Sequence, residues 1–170
     1  MDSTKIRIDR ENLTLFCKKV FLELGCSEKE AAASATVLVT ADARGIESHG
    51  IARLKRYVNG IKANVMFPNV TPQIVRETPM SKVLNAKGAM GMYLSDNLMK
   101  ETIAKAKKTG AAFASVRDSN HFGIASYYSE MAAKEGLIGI AMTNTAALGV
   151  PTYGRKAMFG TNPIAFSVPA

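Results

Sequence analysis

Only two histidines occur in the 170 residues, and each lies in a dense polar motif. The first reads Arg44-Gly45-Ile46-Glu47-Ser48-His49-Gly50-Ile51-Ala52-Arg53, with Tyr57 four residues further on. The second reads Asp118-Ser119-Asn120-His121-Phe122-Gly123. Imidazole gives or takes a proton near neutral pH. Arg53, one helical turn after His49, offers a planar fork that matches a carboxylate. A proton-transfer group beside a carboxylate clamp suits chemistry on a small organic acid.

The spacing of four sets His49, Arg53 and Tyr57 on one stripe of a helix predicted from about 48 to 63. Ser48 stands where its hydroxyl would cap that helix. A substrate carboxylate would meet Arg53 and the positive end of the helix dipole, while His49 exchanged a proton with a neighbouring hydroxyl or carbonyl. The same residues also fit a capped amphipathic helix with its basic side chains in water. Gly50 costs such a helix about 1 kcal/mol. Arg44 and Glu47 read as local ion-pair or turn residues. Asn120-His121-Phe122-Gly123 reads as a strand-to-helix turn. It fits a dinucleotide or substrate contact, or a helix cap with Asn120 capping and His121 in the first turn. Gly160-Thr161-Asn162-Pro163 is a polar turn entering the last strand. No metal site is expected, because two distant histidines and two unclustered cysteines give no ligand spacing. Gly88 and Gly91 form no G-x-G-x-x-G, and no Walker A motif is present.

The elements that must position these groups follow from periodicity. Asp9 with Leu13, Phe16, Val20 and Leu24 predicts a capped helix that Gly25 ends. Ser27-Glu28-Lys29-Glu30 is a capping box opening a second helix to about Ala43. Prolines 68, 72 and 79 punctuate short stretches at 73–76 and 82–85 that read as strands. Residues 90–108 are helical in pattern, with Met90, Met92, Met99 and, later, Met131 read as core filler. A buried strand at 111–116, a helix at 121–135 and a strand at 137–142 read as a parallel βαβ unit. That unit would bring Asn120 and His121 to the same sheet edge as Thr143, Asn144 and Thr145, where open α/β folds place ligands.

Composition narrows the class. Hydrophobic residues make up 47% and charged residues 21%, as in a soluble globular chain. The opening Met1-Asp2-Ser3-Thr4-Lys5 is followed by no apolar signal segment, and no apolar run reaches the roughly 18 residues of a membrane span. Cys17 and Cys26 read as reduced thiols of a cytoplasmic protein. The net charge of +8 is spread from Lys5 to Lys156 without a basic block, which reads as a solvated surface rather than a nucleic-acid stripe. An anionic cofactor would profit from the same field. The apolar stretch 164–170 reads as a buried strand at the very end, which predicts that a longer protein has been cut or partly recorded.

Four motifs in order resemble the malate/L-lactate dehydrogenase family, the type unrelated to the Rossmann lactate dehydrogenases. They are the 44–53 motif with Tyr57, Ser119-Asn120-His121-Phe122-Gly123, Met142-Thr143-Asn144, and Gly160-Thr161-Asn162-Pro163. The family includes ureidoglycolate, sulfolactate and diketogulonate dehydrogenases and piperideine-2-carboxylate reductases. The resemblance implies hydride transfer between NAD or NADP and a 2-hydroxy acid/2-oxo acid pair. It implies an α/β fold of N-terminal helices followed by a mixed sheet with helices, without the Rossmann motif. Residues 1–65 would form a helical segment contributing to the active site, and 66–170 the first part of a nucleotide-binding domain.

By matching motif, His49 would donate and accept the proton, with Ser48 in its relay. Arg53 would hold the substrate carboxylate, and Tyr57 and Thr161 would line the substrate. His121, Phe122, Gly123, Ile124 and Ala125 would contact the cofactor, with Asn144 and Asn162 as further site-wall residues. Family members are about twice as long, so the resemblance places further cofactor contacts and a relay aspartate outside this chain. The 170-residue chain alone is then expected to be inactive. A cytoplasmic homodimer is implied, with no nucleic acid or membrane partner. The alternatives are an imine reductase of the same family, a non-catalytic metabolite-binding relative, and a basic helical DNA-binding module built on Arg44, Arg53, Lys55 and Arg56.

Overall fold

Helix α1, Arg10–Glu23, starts where the Asp9 carboxylate accepts the Asn12 amide at 2.9 Å. Helix α2, Glu28–Ala43, opens on the capping box formed by Ser27 and Glu30. Both starts follow the sequence prediction. The computed structural model describes residues 6–170, so the opening segment read above for a signal peptide lies outside the described residues. These residues form two units, one ending at Ile124 and the other spanning Ala125–Ala170.

In the first unit α1 packs on α2, and α2 packs on α4, Gly91–Thr109. Phe21, Val37, Leu38, Met90 and Met92 are among the fully buried side chains there. Strands β1, Gln73–Glu77, and β2, Ser81–Asn85, pair antiparallel. Strand β3, Phe113–Arg117, pairs parallel with β2, in register from Ser81↔Phe113 to Asn85↔Arg117. Helix α4 is therefore the crossover of a βαβ unit. Leu94 and Leu98 on α4 pack with Leu84, and Val116 joins that cluster.

The second unit holds helix α5, Ala125–Ala133, and an antiparallel ribbon of β4, Gly139–Met142, and β5, Ile164–Ser167. Small residues face α5: Gly139 lies against the Ser129 carbonyl, and the Ser129 and Ser167 hydroxyls meet at 2.7 Å. The cross-strand pairs Ile140↔Phe166 and Met142↔Ile164 turn outward, and all four side chains are at least half exposed.

Five expectations are corrected. The helix predicted from 48 to 63 is broken into 3-10 turns at Glu47–His49 and Ile51–Arg53, followed by α3, Leu54–Lys62. The break falls at Gly50, whose extended backbone (φ −88°, ψ −145°) interrupts the ladder. Ser48 consequently lies inside a 3-10 turn and caps nothing. The strands at 111–116 and 137–142 do not share a sheet: β3 belongs to the β1-β2-β3 sheet and β4 pairs with β5. Apolar runs identify strands but not their partners, and the true βαβ unit lies one strand earlier. Strands β3 and β5 are largely exposed rather than buried, with Phe113 at 68% and Phe166 at 62% of their full accessibility. The helix read at 121–135 begins only at Ala125, leaving His121 in the preceding loop.

Among the described residues no helix is long and apolar enough to cross a membrane, and no three acidic, histidine or cysteine side chains gather as metal ligands. Cys17 and Cys26 are buried free thiols, and burial pushes their pKa values up to about 11 and about 12.

Candidate active site

Helix α3 carries Tyr57 into the interior, where it is fully buried and meets the Phe21 ring edge-on at 6.0 Å. Its hydroxyl lies 2.6 Å from Nδ1 of His121, a residue that is distant in sequence but held nearby in space. Asn120 ties the loop down by donating to the Gly88 carbonyl at 2.8 Å and to those of Val65 and Ala89. That corrects the reading of Asn120 as a helix cap. After His121 the chain doubles back through Gly123, at φ +86°, where a Cβ would strike Val37 Cγ1 at 2.3 Å. This left-handed turn returns the Gly123 amide to His121 Nδ1 at 3.3 Å.

The tautomer of His121 follows. A backbone amide can only donate, so Nδ1 must be an acceptor and the ring proton sits on Nε2. The Tyr57 hydroxyl then donates as well. Burial raises the tyrosine pKa well above its ordinary value and keeps that proton in place. His121 itself is pushed down to about 4, first by burial and then by the nearby charges of Arg56, His49 and Arg53. At neutral pH it is therefore a neutral imidazole presenting an N–H.

His49 stacks on that ring, with centroids 5.5 Å apart and planes inclined by 24°. Its Nδ1 lies 2.9 Å from the Ser48 hydroxyl. Burial lowers its pKa, with Arg53 and Arg56 adding to the shift, which makes its protonated form a readier donor. Arg53 donates from Nε to the Ser48 carbonyl at 2.6 Å. That bond commits one edge of the guanidinium to the turn and leaves its two terminal nitrogens for a ligand. Among the described residues neither Arg53 nor Arg56 pairs with a carboxylate.

Ser48, His49, Arg53, Tyr57 and His121 are thus brought together in the first unit. Phe122 is half-buried, and Gly123 and Ile124 are buried beside them in sequence. In the second unit, Ala125 opens α5, buried. There the Asn162 side chain accepts the Thr145 amide at 2.9 Å, and the Thr161 amide donates to the Thr145 hydroxyl at 2.8 Å. Asn144 is exposed on the same loop. The sequence assigns no active-site role to two neighbours of the histidine cluster. Arg56 contributes charge to both rings. Asp42 accepts the Ile51 amide at 2.7 Å. Only the basic spacing of α3 pointed toward Arg56, and no local pattern marked Asp42.

The chain is 44% identical over 169 residues to a malate dehydrogenase of Pyrococcus abyssi, covering 99% of this chain and 47% of that protein. It is 43% identical over 152 residues to a malate/(S)-sulfolactate dehydrogenase of Methanothermus fervidus, covering 89% of this chain and 45% of that protein. The solved malate dehydrogenase of Pyrococcus horikoshii OT3 superposes with a TM-score of 0.95 at 43% identity, covering 99% of this chain and 48% of that one. The chain spans about half the length of the curated relatives it matches. The family model described as malate/L-lactate dehydrogenase matches residues 8–170, and the chain belongs to that family.

Proposed function

We propose that the protein carrying these residues is a nicotinamide-dependent oxidoreductase that interconverts a small 2-hydroxy acid and its 2-oxo acid, malate-like or sulfolactate-like. The observation that carries this reading is the packing of His49 against a neutral, N–H-presenting His121, with Arg53 paired to no carboxylate among the described residues.

The donor set suits such a ligand pair. A guanidinium with free terminal nitrogens holds a carboxylate in a fixed orientation. The 2-oxo oxygen of a substrate so held would receive its proton from His49, and the reverse reaction would return the proton to His49. Ser48 occupies Nδ1, as donor or as acceptor, so that Nε2 is the nitrogen left to exchange the proton. His121 supplies a neutral hydrogen bond and no net charge, which suits a carbonyl or amide rather than a phosphate. His121, Phe122, Gly123, Ile124 and Ala125 would line the nicotinamide cofactor, NAD or NADP, with Asn144 and Asn162 as further wall residues. Bound cofactor supplies the hydride. Thr161 would contact the substrate, and Tyr57, being fully buried, would act through His121.

In this reading 1–65 is the helical segment of the active site and 66–170 the first part of the nucleotide-binding domain. The active form is a cytoplasmic homodimer of the longer polypeptide. The test is a panel of 2-oxo acids with NADH and NADPH on the full-length protein, followed at the reduced-nicotinamide absorbance. Turnover of a malate- or sulfolactate-type acid is expected. No turnover of any 2-oxo acid with either cofactor would overturn the proposal.

A further inference from the structure

We infer that Asp42 is a positioning residue that sets His49 and Arg53 relative to one another by gripping the single point of backbone between them. The inference rests on the functional reading above.

Asp42 is half-buried near the end of α2, and its Oδ2 accepts the Ile51 amide at 2.7 Å. Ile51 opens the second 3-10 turn, so the carboxylate caps the helical run that continues into α3. The grip is also steric. A Cβ at Gly50 would stand 1.9 Å from Asp42 Oδ1 and 2.2 Å from Cγ. The φ of Gly50, −88°, is not left-handed, and the carboxylate pressed against its Cα leaves no room for a side chain unless Asp42 shifts. On either side of this point, the His49 amide bonds back to Ile46 at 3.0 Å and the Arg53 amide to Gly50 at 2.9 Å. The Arg53 Nε bond to the Ser48 carbonyl closes the turn. Asp42 thus reaches both functional side chains through the backbone. Displacements of about 1 Å at a reacting centre cost roughly 10²-fold in rate.

The experiment is a set of variants in the full-length protein. Asp42→Ala should lower kcat/KM by about 10²-fold, with a raised substrate KM as Arg53 shifts and a lowered kcat as His49 shifts. Cofactor affinity should stay unchanged. Asp42→Asn keeps an acceptor oxygen for the Ile51 amide and should restore most of the activity. Gly50→Ala should be as damaging as Asp42→Ala. The double variant Asp42→Ala/Gly50→Ala should lose no more than either single change, because removing the carboxylate makes room for the methyl group. The Ile51 amide resonance and the His49 ring nitrogens should move in Asp42→Ala and stay in place in Asp42→Asn. Unchanged kinetics in Asp42→Ala, or losses that simply add in the double variant, would overturn the inference. A wild-type protein that reduces no 2-oxo acid would instead refute the functional reading. The resonances would then decide the role of Asp42 by themselves: unmoved His49 signals in Asp42→Ala would overturn it.

Discussion

The Tyr57 hydroxyl and His121 Nδ1 lie 2.6 Å apart, and the tyrosine has no solvent exposure. A buried phenol that donates to one nitrogen of an imidazole dictates what the other nitrogen can do. Tyr57→Phe fills the same space and leaves Nδ1 with only the longer bond from Gly123. The variant should fold, at a cost of about 1 kcal/mol for the lost hydrogen bond. With only the 3.3 Å bond from Gly123 to favour Nε2–H, its His121 should admit a fraction of the Nδ1–H tautomer, visible in the ring ¹⁵N resonances, and kcat/KM should fall by roughly tenfold. A single Nε2–H tautomer in Tyr57→Phe would show that Gly123 alone fixes the ring.

His121 also imposes a pH dependence on stability. In the unfolded chain it binds a proton near 6.5, and in the folded protein only near 4. Between these values the unfolded state holds more protons, so stability falls as pH falls through the window. The contribution is fully present above about 6.5 and has nothing further to lose below about 4. Thermal melts across this range should therefore slope more steeply for the wild type than for His121→Gln. His49 titrates in the same direction, so its ring must be followed separately by NMR. A His121 ring that titrates near 6.5 in the folded protein would contradict the burial that the structure gives it.

The two histidines should separate in kinetics. His49→Asn should depress kcat by roughly 10²–10⁴-fold, the usual span for acid–base catalysis, and leave cofactor affinity nearly intact. His121→Ala should weaken cofactor binding with a smaller effect on the saturated rate. Fluorescence titration of the reduced nicotinamide beside steady-state rates distinguishes them. The reversed pattern would exchange the two roles.

Ile140, Met142, Ile164 and Phe166 form an outward apolar ladder across β4 and β5. The isolated 170-residue chain should bind an apolar dye and self-associate. Replacing Ile140 and Phe166 by threonine should suppress both without removing a backbone hydrogen bond from the ribbon. Sedimentation with and without the substitutions measures this, and a monodisperse, dye-silent parent chain would count against it.

The parts of this fold that were legible in sequence are those fixed by neighbours along the chain. Asp9 and the Ser27–Glu30 box announce α1 and α2 because capping is a contact over three residues. The short stretches that Pro72 and Pro79 punctuate at 73–76 and 82–85 announce two strands for the same reason. Sheet membership was illegible, since β3 and β4 are both short apolar runs and pairing is a tertiary choice. The site divides likewise. The chemistry of His49 and Arg53 shows in residue type and spacing, and the resemblance to a family linked it to His121. The break at Gly50 was hidden because the Asp42 carboxylate that holds the Ile51 amide sits on another helix. The matching motif implies a substrate contact for Tyr57, and its burial against His121 depends on a residue 64 positions away that no local pattern connects to it.

The two buried thiols have a practical consequence. Only the thiolate reacts with alkylating reagents, and pKa values of about 11 and about 12 leave Cys17 and Cys26 almost wholly protonated at neutral pH. Both sulfurs are also screened from solvent. The native thiols should therefore react slowly with maleimides under mild conditions. A cysteine introduced at an exposed position such as Ser119 would be the single reactive handle, and a fluorophore attached there would sit two residues from His121 without any need to delete the native thiols.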